Sequence, residues 1–110
     1  MEIRQGDALT LPLFLCHLEK PLTPESVAEM ELCIGATVRR LYSKKELLYD
    51  DIEKNWFYRL EQRDTIGLGV GTYAIQVRVK YKSVAGEEDV KTIWLDDKLI
   101  VKAGKSKEVI

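Results

Sequence analysis

The sequence predicts an all-β fold, an antiparallel β-sandwich of about seven or eight short strands. Three observations predict it. Apolar residues recur with period 2 in segment after segment. Turn residues interrupt them roughly every 8–12 positions. No stretch holds a 3.6-residue period long enough to supply a crossover helix. The chain has 110 residues, enough to close one core without metal or disulfide staples. The alternation stops near Lys102, so the expected organisation is one domain at 1–102 and a C-terminal tail at 103–110.

The elements follow in order. "ALTLPLFLCHL" (8–18) puts Leu9, Leu11, Leu13 and Leu15 on one face and Thr10, Pro12, Phe14 and Cys16 on the other. Pro12 has no N–H for a ladder, which places this strand at an edge or a bulge. Phe14 and Cys16 make its second face partly apolar, so Phe14 is a candidate interaction residue. "EKPLTPES" (19–26) is a loop punctuated by Pro21 and Pro24. "VAEMELCIG" (27–35) alternates again, with Ala28, Met30, Leu32 and Ile34 on one side and Glu29 and Glu31 on the other. A helix capped by Thr23 or Ser26 competes here; the strand is preferred. Residues 37–43 and 46–51 flank a polar "SKKE" and read as a short hairpin, or as one strand and an extended loop.

"NWFYRL" (55–60) is aromatic and β-prone, with Trp56, Tyr58 and Leu60 on one face. "EQRDTIGL" (61–68) is a connection with room for one helical turn. "TYAIQVRVKY" (72–81) is the cleanest element: Tyr73, Ile75, Val77, Val79 and Tyr81 point one way and Thr72, Ala74, Gln76, Arg78 and Lys80 the other. "SVAGEE" (83–88) turns at Gly86. Residues 89–102 supply one or two further strands, kinked at Asp96-Asp97.

"GLGVG" (67–71) raises the question of a phosphate loop. Such a loop follows a strand and opens a helix, whose free N–H groups meet the phosphate. Here the segment after Gly71 alternates with period 2, and the glycine spacing is GxGxG rather than GxGxxG. A structural role fits instead. Tyr73 stands where the tyrosine corner of a Greek-key sandwich stands, its hydroxyl bonding back to nearby backbone. Gly71 supplies the positive φ that such a turn needs.

Little in the chain points to catalysis. His17 and Cys16 are adjacent strand residues and face opposite ways, so they form no dyad. Cys16 and Cys33, 17 residues apart, read as reduced thiols. The single histidine completes no zinc set. The acid pairs Asp50-Asp51, Glu87-Glu88-Asp89 and Asp96-Asp97 sit at turns without a calcium-loop spacing. The runs Arg39-Arg40 and Lys44-Lys45 and the stripe Arg78, Lys80, Lys82 have acids nearby, and the formal net charge is -1. Nucleic acid and membrane are therefore not expected partners. Trp56, Trp94, Tyr58 and Tyr81 could form a sugar-stacking platform, yet large aromatics in alternating strands favour the core. Trp56 and Trp94 are accordingly expected as core residues. The reading is a non-enzyme without metal or cofactor. No basic n-region precedes an apolar stretch at the start, so no signal peptide is expected.

A family pattern is also visible. "IRQGDALTLPLFL" (3–15), "FYRLEQRDTIGLGVGTYAIQVRVKY" (57–81) and "IWLDDKLIVKAGKSKEVI" (93–110) resemble small structural proteins of phages and prophages of Gram-positive bacteria. The N-terminal Ig-like domain of baseplate upper proteins carries related patterns. Here "DALT" replaces the usual "DT", and 19–54 carries little of the likeness. The resemblance implies an immunoglobulin-like sandwich in a tail, baseplate or neck, found in the virion or the host cytoplasm. Its implied partners are other phage structural proteins or further copies of itself, with Phe14 and the terminal Val109 and Ile110 as candidate contacts. A carbohydrate-binding module is the alternative.

Overall fold

Where alternation runs unbroken for five or more residues, the backbone is extended. The structure, a computed structural model, describes residues 1–82, 89–105 and 108–110. The expected turn at Gly86, the acids Glu87 and Glu88, and part of the 103–110 tail lie outside the described residues. The strands are β1 (Glu2–Arg4), β2 (Leu9–Leu13), β3 (Cys16–His17), β4 (Lys20–Pro21), β5 (Val27–Ile34), β6 (Val38–Leu41), β7 (Leu47–Asp50), β8 (Asn55–Leu60), β9 (Gly71–Tyr73), β10 (Ile75–Tyr81), β11 (Val90–Trp94) and β12 (Leu99–Lys102). One helix, α1 (Gln62–Leu68), lies between β8 and β9.

The all-β class expected from the pattern is present. A four-stranded sheet has the order β11-β10-β5-β6, and a three-stranded sheet the order β2-β8-β7. A second three-stranded sheet, β1-β12-β9, and the hairpin β3-β4 complete it. Pairing is antiparallel throughout the described residues except β1 with β12, which is parallel. Both larger sheets turn their inner faces to one core. Met30, Leu32, Ile34, Val77 and Val79 come from one sheet, and Leu11, Leu13, Leu47, Trp56, Tyr58 and Leu60 from the other.

Several expectations change in detail, each for a physical reason. The hairpin across "SKKE" does not form. β6 pairs with β5 and β7 with β8, so residues 42–46 carry the chain from one sheet to the other. The edges of β5 and β8 capture the two arms separately, and Val38 and Leu47 both reach the core. The long run 72–81 breaks at Ala74: β9 pairs with β12, and β10 with β5 and β11. One alternating stretch thus serves two sheets, as at the corners of orthogonal β packings. Such breaks raise the strand number above the expected seven or eight. In β5, Lys80 opposes Glu29 while Tyr81 opposes Val27. Ala28 is the extra residue of this bulge, so Val27 is buried in its place.

Trp56 fills the centre. It is 0% exposed, and its Nε1–H donates to the Leu22 carbonyl at 2.9 Å. Tyr42 and Tyr49 meet it edge-on at 5.3 and 5.2 Å between ring centroids. Leu22, read from sequence as loop, is therefore a core residue. Trp94 is the opposite case. It sits on edge strand β11 opposite Gln76, on the outward face, and is 63% exposed. The core role expected for Trp94 is corrected: alternation fixed its parity, but the inward positions of β11 are Lys91 and Ile93.

The remaining contacts close the open ends. Arg40 reaches from β6 to the Asp64 carboxylate on α1 and to the Arg59 carbonyl on β8. Asp64 also accepts the Glu61 N–H at 2.7 Å, capping the helix. Thr65, fully buried, accepts the Gly6 N–H at 2.9 Å and lies 3.0 Å from the Asp7 carbonyl. The "QGD" turn is pinned to α1 in this way. Replacing Trp56 by Phe removes the donor to Leu22 and opens a void. Urea unfolding is expected to show a loss of about 2–4 kcal/mol, whereas Trp94→Ala changes stability by less than about 0.5 kcal/mol.

Candidate interaction surface

The glycine loop is built as a corner. α1 runs into the glycines and a strand leaves them, the reverse of a phosphate loop. The Tyr73 hydroxyl donates to the Leu68 carbonyl, with the Gly69 carbonyl 3.0 Å away. Gly71 has the positive φ expected of it, 159°, and Gly69 adds a second, 80°. Gly35 completes the corner. It has φ 58°, and a Cβ there would lie 2.9 Å from a Leu68 methyl and 3.1 Å from the Tyr73 ring.

The ionisable groups do not converge. His17 stacks on Tyr81 at 4.5 Å, at the end of β10 away from Gln76, which pairs with Cys33. Cys16 and Cys33 are both free thiols. Burial pushes the Cys33 thiol up, and neighbouring Glu31 adds to it. Burial also pushes the Tyr58 phenol up, to about 12. Among the described residues no three His, Cys, Asp or Glu side chains gather as a metal-binding set. The four aromatics of the imagined sugar platform do not share a surface. Trp56 and Tyr58 are buried, Trp94 faces outward, and Tyr81 points with the inner row of β10.

Beside the exposed Trp94, the outer face of the four-stranded sheet carries a tight ion-pair network. Glu31 lies opposite Arg78, whose guanidinium donates to it at 2.6 and 2.9 Å. Arg39 donates to its other oxygen at 2.6 Å. The Arg78 bond and then the Arg39 bond hold the Glu31 carboxyl below its ordinary range, against the opposing effect of burial. In the basic stripe along β10, Arg78 is thus paired with an acid, in keeping with the nearby acids read from the sequence.

The other sheet presents apolar surface. β2 is an edge strand, one of the two placements that Pro12 allows. On one side of it, Leu11, Leu13, Tyr58, Ile75, Leu95 and Leu99 line a groove of about 260 Å³. Phe14, 72% exposed, also lines this groove. The outward face of the sheet carries a second feature. Ladder register sets Pro12 opposite Phe57 and Phe57 opposite Leu48. One apolar row therefore crosses all three strands, with Pro12 and Leu48 exposed. This row was legible only once the pairing was known. Val109 and Ile110 are also exposed, while the Ile110 N–H donates to the Gln62 side chain on α1 at 2.9 Å.

Comparison with protein-family models, with curated proteins and with solved structures found no match to this chain.

The Glu31 network carries a sign that can be tested. A carboxyl held low in the folded state stabilises above its unfolded pKa, and that contribution is lost as pH falls through the folded value. Glu31→Gln should therefore cost stability at pH 7, with the difference from the parent shrinking as urea melts are repeated toward pH 3.

Proposed function

We propose that the chain is a non-enzymatic assembly module of a phage or prophage particle, working through protein–protein contacts in a tail, baseplate or neck. In this reading the two larger sheets form an immunoglobulin-like sandwich, with the β1-β12-β9 sheet at a corner. The resemblance of residues 3–15, 57–81 and 93–110 supports the class. The Tyr73 corner supports the sandwich, because a tyrosine bonded back across a turn is a recurrent device of Greek-key folds.

The observation that carries the reading is the pairing of a free strand edge with an apolar groove and an exposed phenylalanine. A solvent-exposed Phe beside an apolar hollow has no use in the isolated domain and suits a partner's side chain. Its neighbours Asp96 and Asp97 supply a polar rim, as interfaces have. The place of work is the virion or the host cytoplasm in which it assembles.

The test mixes the purified protein with each structural protein encoded beside it. A stoichiometric complex on size-exclusion chromatography is expected, weakened at least tenfold by Phe14→Asp while the thermal melt is unchanged. No complex with any of them, or retention on polysaccharide abolished by Trp94→Ala, would overturn the assembly reading in favour of the carbohydrate one.

A further inference from the structure

We propose that a second copy of this chain docks on the outward face of the β2-β8-β7 sheet, across a two-fold axis lying along the row Pro12–Phe57–Leu48. The inference rests on the assembly reading and names one partner.

Alternation in β8 decides which of its side chains face out. Trp56, Tyr58 and Leu60 are committed to the core, so Phe57 must face outward. Register then places Pro12 and Leu48 on either side of it. Pro12 is exposed and Leu48 is 43% exposed, with Phe57 half-buried between them. A face of apolar side chains spanning three strands is what two copies could bury together. Pairing through the edge of β2 is blunted instead, because Pro12 offers no N–H there.

Charge identifies the occupant. On the Arg59 side of the row, along the strands, a hollow is lined by Lys45 and Arg63, together with Thr10, Leu48 and Phe57. Arg40 and Arg59 also line it, but they are engaged by Asp64 and Glu61. The Glu46 carboxylate accepts the Leu41 N–H. Four cations stand against three anions in this hollow, and Lys45 and Arg63 have no ion-pair partner among the described residues. On the opposite side of the row a second hollow is lined by Phe14, Asn55, Asp50 and Glu53. Asp50 accepts the N–H groups of Ile52 and Glu53, and neither Asp50 nor Glu53 has a cationic partner among the described residues.

The face is thus basic at one end and acidic at the other, with apolar side chains between. A two-fold rotation about the row reverses strand direction. It sets Lys45 and Arg63 of each copy against Asp50 and Glu53 of the other, twice. Rotation about the strand direction would set like on like. An isologous interface needs such a self-complementary patch, and charge complementarity fixes its register. Three strands about 4.8 Å apart make a face of only a few hundred Å². That is less than the roughly 800 Å² per partner of a standard interface, so the dimer is weak and concentration-dependent.

Sedimentation equilibrium from about 10 μM to 1 mM tests this, with circular dichroism as the folding control. A monomer–dimer equilibrium is expected, weakened at least tenfold by Leu48→Glu. Arg63→Glu and Glu53→Arg should each weaken self-association. An equimolar mixture of those two variants should dimerise more tightly than either alone, because both contact pairs are then complementary. A protein monomeric throughout, or a dimer indifferent to Leu48→Glu, overturns the proposal. So does a mixture no tighter than its components. A monomer that still binds a virion protein overturns this inference alone and leaves the assembly reading standing.

Discussion

Burial of Trp56 is the constraint on which the rest of the molecule depends. The indole is the largest wholly buried side chain, and its one polar atom must find an acceptor there. The Leu22 carbonyl supplies it, which pulls an otherwise polar loop against the core. Tyr42, just past β6, and Tyr49, on β7, box the ring from two sides. A single side chain thereby joins the four-stranded sheet, the three-stranded sheet and the loop before β5. The same strand obeys period 2, so committing Trp56 inward commits Phe57 outward. The core and the candidate interface are two faces of one decision.

Corners are held by polar contacts of a different kind. At each, a backbone or charged group that leaves a strand is met by a specific side chain. The Tyr73 hydroxyl serves the end of α1, Thr65 serves the "QGD" turn, and Arg40 ties β6 to α1 and β8. These bonds contribute little individually, on the order of 1 kcal/mol net each, but an unmet group at such a site would cost more than that. They fix where strands change sheets. Gly35 matters for the same reason: any larger residue would displace Leu68 or the Tyr73 ring.

Much of this was legible from sequence where local pattern decides structure. The class, the edge position allowed by Pro12, the inward face of Trp56, Tyr58 and Leu60, and the role of Tyr73 all follow from period, proline chemistry and ring size. What was not legible depends on which strands meet. The "SKKE" arms look like a hairpin because sequence shows only their proximity, not the competing edges of β5 and β8. Ala28 and Val27 exchanged places because a bulge shifts parity by one. Trp94 looked like core because size argues for burial, but on an edge strand the outward face has nothing to cover it. The turn Leu18-Glu19 between β3 and β4 has positive φ at both residues, 52° and 66°, without the Asn or Gly that announces such turns. The apolar row Pro12–Phe57–Leu48 comes from three separated segments and exists only in register.

The outward face of β2-β8-β7 is the proposed place at which this protein meets others. Amide chemical shifts followed by NMR as the protein is concentrated test that directly. Progressive shifts are expected, confined to β2, β7, β8 and the flanking residues near Lys45, Glu53 and Arg63. Shifts centred instead on the outer face of the four-stranded sheet, around Trp94 and Arg78, or spectra unchanged up to millimolar concentration, would contradict it.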